Sequence, residues 1–301
     1  VDAIRIILKN ISQVLLLNNA WTGLFILLGL FIGSWKVGVM AFIASVIALL
    51  LAKRTNYSEE EINTGLSGFN PVLTAIALTL FLVPQWYSLI IIFVAIVITM
   101  PIGSAFRAFF KPFDVPMLTM PYVFVSWLIL LMSFQFKFVN ADVNILPNKI
   151  HEIQYSGRHI QFINAFLSGF SEVFLLKSVL AGCLILIGIF IASKKAGVYA
   201  IVANLIGFSA VIVLGANHDQ INDGLFGYNV ILTVLALGIA FRTRIERPIS
   251  IVLGILLTVV IHAGMTTLLT PYGLPVFTLP FIIATWIMLF AGKQMKPQEI
   301  D

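Results

Sequence analysis

The chain has 301 residues, 60% hydrophobic and only 10% charged. Soluble domains carry about 25% charged residues, so a surface facing water on most sides is excluded. The formal net charge of +5 fits the Lys and Arg that collect on the cytoplasmic side of a membrane protein; no basic stripe points to nucleic acid, and Cys183, the only cysteine, has no intramolecular disulfide partner and reads as a small packing residue.

Apolar stretches of about 18 residues or more recur along the whole length, the pattern of several membrane-spanning helices. No signal-peptide pattern with a cleavage site precedes the first, so these segments are expected to be the fold itself. In chain order, a short amphipathic segment covers about residues 3 to 17. Spans follow near 21–34, 36–52, 61–83, 86–106 and 115–135. Residues 136–159 are polar, with Asn140, Asp142, Asn144, Pro147 and Asn148, and read as a linker. A second short segment covers residues 160–176, and spans follow near 180–193, 195–214, 220–241, 248–269 and 275–292. The short segments cannot cross a bilayer, and a re-entrant helix is tolerated where protein or a wet cavity satisfies its ends. The expected fold is an all-α integral membrane protein with ten transmembrane helices and two re-entrant half-helices.

The second series repeats the first at one offset of 159 residues. Ser12-Gln13-Val14-Leu15-Leu16-Leu17 falls on Ser171-Glu172-Val173-Phe174-Leu175-Leu176, and Gly65-Leu66-Ser67-Gly68-Phe69-Asn70 on Gly224-Leu225-Phe226-Gly227-Tyr228-Asn229. Pro116, Thr119, Pro121 and Trp127 fall on Pro275, Thr278, Pro280 and Trp286 without a gap. Shared apolar composition does not hold Gly, Asn, Pro and Trp in one register, so duplication is inferred. Five spans per half insert the second half upside down. With both termini inside, 13 Lys and Arg fall on cytoplasmic segments, and 5 (Lys36, Lys137, Lys149, Arg158 and Lys177) fall outside, the expected asymmetry. The domains are then residues 1–135, an extracellular linker 136–159, and an inverted repeat 160–301, with solute sites at their shared interface.

Three paired motifs supply candidate path residues. Gln13 and Glu172 lie near the ends of the short segments, where the last helical carbonyls lack partners; side-chain and carbonyl oxygens together give a row of acceptors. An ionisable group within a membrane segment suggests function, and the alternative places Glu172 hydrated among headgroups. In the glycine motifs, Phe69 with Leu73, and Tyr228 with Leu232, share a helical face four residues apart and make a flat apolar wall. Asn70 and Asn229 are expected to satisfy backbone groups freed at the glycine break, and ordinary packing through small residues is the competing reading. In the third motif, if helical, Pro121 and Pro280 would free the carbonyls of Met117 and Val276 beside Thr119 and Thr278; alternatively each Thr bonds back to its own helix.

Acceptor oxygens, flat apolar walls and no ring of charge suit a small, planar, neutral solute rich in N–H donors, and not an ion. In these motifs, and in Leu17-Asn18-Asn19 ending the short segment, the whole chain resembles the urea transporter family. The resemblance implies a homotrimer in the cell membrane, each subunit passing urea passively in single file. It implies Gln13 and Glu172 as ladder oxygens, and slots walled by Phe69, Leu73, Tyr228 and Leu232 with Val14, Leu16, Val173 and Leu175. Thr119 and Thr278 would sit in the narrow middle. Leu16 and Leu175 stand where the family often has an aromatic, and Tyr228 replaces the more usual Phe, which bears on slot width. The alternatives are a proton- or ion-coupled transporter with Glu172 as proton carrier, or a pore for ammonia, a short amide or water. No enzyme, cofactor or metal site is expected: His262 lacks ligand-spaced partners, His218 and Asp219 fall in an external loop, and no phosphate-binding glycine loop is present.

Overall fold

The computed structural model describes residues 3–136, 138–141, 159–243 and 245–291. Most of the expected linker, with Asp142, Asn144, Pro147 and Asn148, lies outside the described residues, as do Lys137, Lys149, Arg158, Arg244, Lys293 and Lys296. Among the described residues the regular elements are helical, with one isolated antiparallel bridge between Leu82 and Ala141.

The first half opens with α1 (Ala3–Ser12), which buries Ile6, Ile7 and Ile11 and ends in a 3-10 turn at Gln13–Leu15. α2 (Ala20–Gly33) starts where the Asn19 side chain accepts the Thr22 N–H, the usual N-cap device. α3 (Trp35–Ala52) follows after one extended residue, Ser34. The expected span 61–83 is two helices. α4 (Glu59–Thr64) is closed at its start by a Ser58–Glu61 capping box and at its end by Gly65, and α5 (Phe69–Phe81) follows. α6 (Trp86–Phe110) is longer than expected, and α7 (Met120–Met132) starts five residues later than residue 115.

The second half contains α8 (Phe162–Ser171), a 3-10 turn at Glu172–Phe174, α9 (Val179–Ala192), α10 (Lys194–Val213), α11 (His218–Asn222), α12 (Gly227–Leu235), α13 (Arg247–Leu269) and α14 (Leu279–Ala291). A π-helical turn at Ala236–Ala240 continues α12. His218 and Asp219 are therefore in a short helix capped by Asn217 and not in an irregular loop. Local polarity hid this turn, because five residues show no apolar period.

The protein is a multi-pass membrane protein. The stretches Trp35–Ala52, Trp86–Phe113, Lys194–Val213 and Arg247–Tyr272 are each long and apolar enough to cross a bilayer. The pairs α1/α2 and α8/α9 are bent by 78° and 73°. Polarity is distributed as a lipid solvent requires. Leu50, Leu89, Phe93 and Val260 are exposed, whereas buried hydroxyls meet inside, Thr74 with Thr99 at 3.1 Å and Thr233 with Thr258 at 2.8 Å.

The halves meet through reciprocal contacts. Trp127 Nε1 donates to the Pro275 carbonyl at 2.8 Å, and Trp286 Nε1 to the Pro116 carbonyl at 2.9 Å. α2 packs along α9, where Thr22 Oγ1 donates to the Gly188 carbonyl at 2.7 Å. Within each half, the first helix lies against the second at a glycine. A Cβ on Gly23 would sit 1.9 Å from the Leu8 carbonyl oxygen, and one on Gly182 2.0 Å from that of Leu167. No other residue fits between those backbones.

Candidate functional site

The short segments end in the same way. Leu16 N donates to the Gln13 carbonyl at 2.9 Å and Leu17 N to that of Ser12 at 3.4 Å; Leu175 N and Leu176 N donate to Glu172 and Ser171 at 2.9 and 3.2 Å. Leu16 and Leu175 both adopt φ 59°, the left-handed position of a helix C-cap that normally holds Gly. A non-glycine residue there costs about 1–2 kcal/mol, and such strain persists where surroundings over-determine it. Ser12 and Ser171 supply that surrounding. Their Oγ atoms donate to the Leu17 and Leu176 carbonyls at 2.6 and 2.5 Å and accept from Asn19 N and Ser178 N at 3.4 and 3.2 Å.

This turn corrects the expectation that all the last carbonyls are free. Those of Ser12, Gln13, Ser171 and Glu172 accept bonds within the turn. Among the described residues, no loop amide or side chain donates to the carbonyls of Val14, Leu15, Val173 or Phe174.

Gln13 is buried, and its Nε2 donates to the Thr64 carbonyl at 2.8 Å. Glu172 is 3% exposed and its Oε1 has no hydrogen-bond partner, so it is not a hydrated headgroup residue. The expected slot residues Val14, Phe69, Leu73, Val173, Tyr228 and Leu232 are all buried in one apolar cluster, with Leu16 and Leu175 packed against it. The Glu172–Phe174 turn touches both α5 and α12, so residues of the two halves share this cluster.

Gly65 and Gly224 bring the loops before α5 and α12 onto the half-helices. Their φ angles are 84° and 80°, and an added Cβ would lie 2.5 Å from Lys9 C or from Gly169 N. The glycine motif therefore serves backbone approach to the short segment.

The third motif is organised differently from its expectation. Met117 and Val276 are not helical, and their carbonyls accept from Met120 N and Leu279 N at 3.3 and 3.2 Å. Pro121 and Pro280 stand in the first turn of α7 and α14, where a missing N–H has no helical partner to lose. The strained residues are Leu118 and Phe277, with φ of 52° and 49°. Asn70 Nδ2 donates to the Leu118 carbonyl at 3.1 Å while its Oδ1 accepts from Tyr122 N at 3.2 Å. Asn229 does the same for the Phe277 carbonyl at 3.2 Å and Phe281 N at 3.3 Å. Each Asn thus braces the third motif and not its own glycine break. Tyr228 OH also donates to the Phe277 carbonyl at 2.5 Å, and His262 Nδ1 lies 3.2 Å from Asn229 Nδ2. The counterparts of Tyr228 and His262 are Phe69 and Gly103.

Between these braces Thr119 Oγ1 and Thr278 Oγ1 are 2.6 Å apart, both buried. They bond to each other across the halves and not back to their own helices. The roles of Ser12, Ser171, Asn70, Asn229 and the Tyr228 hydroxyl were missed by reading the motifs singly; the available signal was that each Ser and Asn pair keeps the constant register.

Beyond the Glu172 end, a cavity of about 490 Å³ is lined by Asn164, Ser168, Asp219, Asn222 and the Lys177–Asp223 ion pair at 2.5 Å. Among the described residues no group of His, Cys, Asp and Glu could hold a metal ion.

The sequence profile of a family described as urea transporter matches residues 4–293. Urea transporter 1 of Ovis aries is 25% identical over 289 residues, covering 94% of this chain and 75% of the sheep protein. Urea transporter 1 of Rattus norvegicus is 26% identical over the same shares.

Proposed function

Because the chain belongs to the urea transporter family, as a transporter and not an enzyme, we propose that it passes urea as a passive channel, through a filter between two inverted repeats. The repeats are residues 1–135 and 160–301, joined by an extracellular linker 136–159. Ten transmembrane helices and two re-entrant half-helices, with both termini cytoplasmic, make up each subunit of a homotrimer in the plasma membrane lipid. The family resemblance supports the trimer and the membrane, and the Lys and Arg asymmetry supports the orientation.

One observation carries the conduction reading: Thr119 and Thr278, one from each half, bring their buried hydroxyls within 2.6 Å, while among the described residues each short segment ends with carbonyls that receive no donor. Urea is planar and neutral, and every N–H it takes from water must find an acceptor inside. The carbonyls of Val14 and Leu15, those of Val173 and Phe174, and the Gln13 and Glu172 side chains supply acceptors along one edge. Phe69 with Leu73, and Tyr228 with Leu232, wall the faces, helped by Val14, Leu16, Val173 and Leu175. The threonine hydroxyls turn from each other to the solute in the middle. Ions would lose their hydration without a cage or ring of charge in exchange.

Stopped-flow urea flux into liposomes with the purified protein tests this. The expected result is urea-dependent volume recovery above protein-free vesicles, set by the urea gradient alone, and lowered in Thr119→Val and Glu172→Ala. The unpartnered Glu172 Oε1 favours one second reading, proton-coupled transport. That reading requires flux to collapse with the proton gradient and Glu172→Gln to uncouple it, whereas a channel keeps partial flux in Gln.

A further inference from the structure

The two half-helix ends differ by one ionisable group. Gln13 is neutral, and its amide nitrogen is engaged by the Thr64 carbonyl. Glu172 is buried with Oε1 unpartnered, and the nearby ammonium of Lys177 is paired to Asp223. A buried carboxylate without a donor is costly, and a cation that both neutralises it and donates hydrogen bonds removes that cost. Guanidinium does so best, since its planar fork of N–H donors matches a carboxylate with two parallel bonds.

The surroundings carry the same preference. The Val173 and Phe174 carbonyls beside Glu172 receive no donor among the described residues, so acceptors predominate. α12, bearing Tyr228, packs against the Glu172–Phe174 turn, and an aromatic face attracts a planar cation. The cavity beyond is lined by Asp219 and by the Lys177–Asp223 pair. The corresponding positions of the first half are Glu60 and Thr64 with Asn18, and Arg5 and Lys9 stand where Asn164 and Ser168 are. At these matched positions the Glu172 side lacks the cations Arg5 and Lys9, so an entering cation meets less like charge there.

We propose that Glu172, with the carbonyls of Val173 and Phe174, forms a binding site for guanidinium-class cations, which enter from the Asp219–Asp223 mouth and compete there with urea. The site stands on the geometry; its competition with urea rests on the conduction reading above.

Two measurements test it. Purified full-length protein is titrated calorimetrically with guanidinium chloride, with tetramethylammonium chloride as a cation lacking N–H donors. Urea flux is then measured in vesicles of one dominant orientation with guanidinium on one side only. Saturable guanidinium binding is expected, with no tetramethylammonium binding, and Glu172→Gln weakens it by about tenfold or more through loss of the charge-assisted pair. Inhibition of urea flux is expected from the Asp219–Asp223 side alone, and Gln13→Glu adds inhibition from the opposite side. Unchanged affinity in Glu172→Gln, equal binding of tetramethylammonium, or equal inhibition from both sides of the wild type overturns the proposal. Should Glu172→Gln fail to fold, the sidedness of the wild type and the added site in Gln13→Glu decide. A protein that conducts urea but ignores guanidinium loses this inference alone; one that binds guanidinium but conducts no urea loses the conduction reading alone.

Discussion

In the first half the strained residue before α7 is held by a single side chain, Asn70. In the second half the equivalent Phe277 carbonyl takes two donors, Asn229 and Tyr228, with His262 behind Asn229. Between these braces the two threonines meet oxygen to oxygen at 2.6 Å. One amide thus braces the first side, whereas the second has two donors on the same carbonyl. Glu172, the ionisable counterpart of Gln13, lies in the half with the added donors, so polar support and the ionisable group fall on one side of the contact.

The largest effect is expected where the halves are equal. Gly23→Ala and Gly182→Ala each force a methyl into a backbone carbonyl at 1.9 or 2.0 Å. Overpacking costs about 1–3 kcal/mol where side chains yield, and more where they do not. Both variants should lose most folded protein in size-exclusion chromatography, to similar extents, and a tolerated Gly182→Ala would break the equivalence of the hairpins. The next effect is unequal. Asn70→Ala strands the Leu118 carbonyl and Tyr122 N–H, at about 1–3 kcal/mol for each buried group. Asn229→Ala strands Phe281 N–H but leaves Tyr228 on Phe277. Thermal unfolding midpoint and urea flux should both fall further in Asn70→Ala, and equal falls would show the extra brace to be idle.

Tyr228→Phe removes that brace, about 0.5–1.5 kcal/mol on its own. Combined with Asn229→Ala it should cost more than the sum, because the two donors share one carbonyl; additive midpoints would separate them. The smallest change is expected at the Lys53–Glu59 pair, 3.1 Å apart with both side chains 70% exposed. Such pairs contribute about 0–1 kcal/mol, so Lys53→Ala should leave the midpoint and the flux close to wild type.

Helix positions were readable because apolar length is written locally. α2, α3, α9 and α10 each lie within one residue of expectation. The constant register of Gly, Asn, Pro and Trp was equally plain. Helix starts were less so: Pro121 and Pro280 fall inside the expected spans, and only the path of the chain shows them in first turns. Asn70 joins Leu118 across 48 residues of sequence, a distance at which no local pattern names a partner. Leu16 and Leu175 were hardest, since propensity expects Gly in the left-handed cap, and the serines that hold them there act from four residues away. The burial of Glu172 was one of two readings until the packing of α5 and α12 around its turn was known.

The reciprocal bonds of Trp127 with Pro275 and Trp286 with Pro116, and a threonine meeting its own counterpart, describe a self-complementary surface. Two identical half-length chains could close the same contact as a pair, each offering the other what it receives. In such a pair any amino-acid change would be felt twice, once on each side of the axis. Joining the two halves in one polypeptide lets a change be felt once, which allows Gln13 and Glu172, or Phe69 and Tyr228, to differ at matched places.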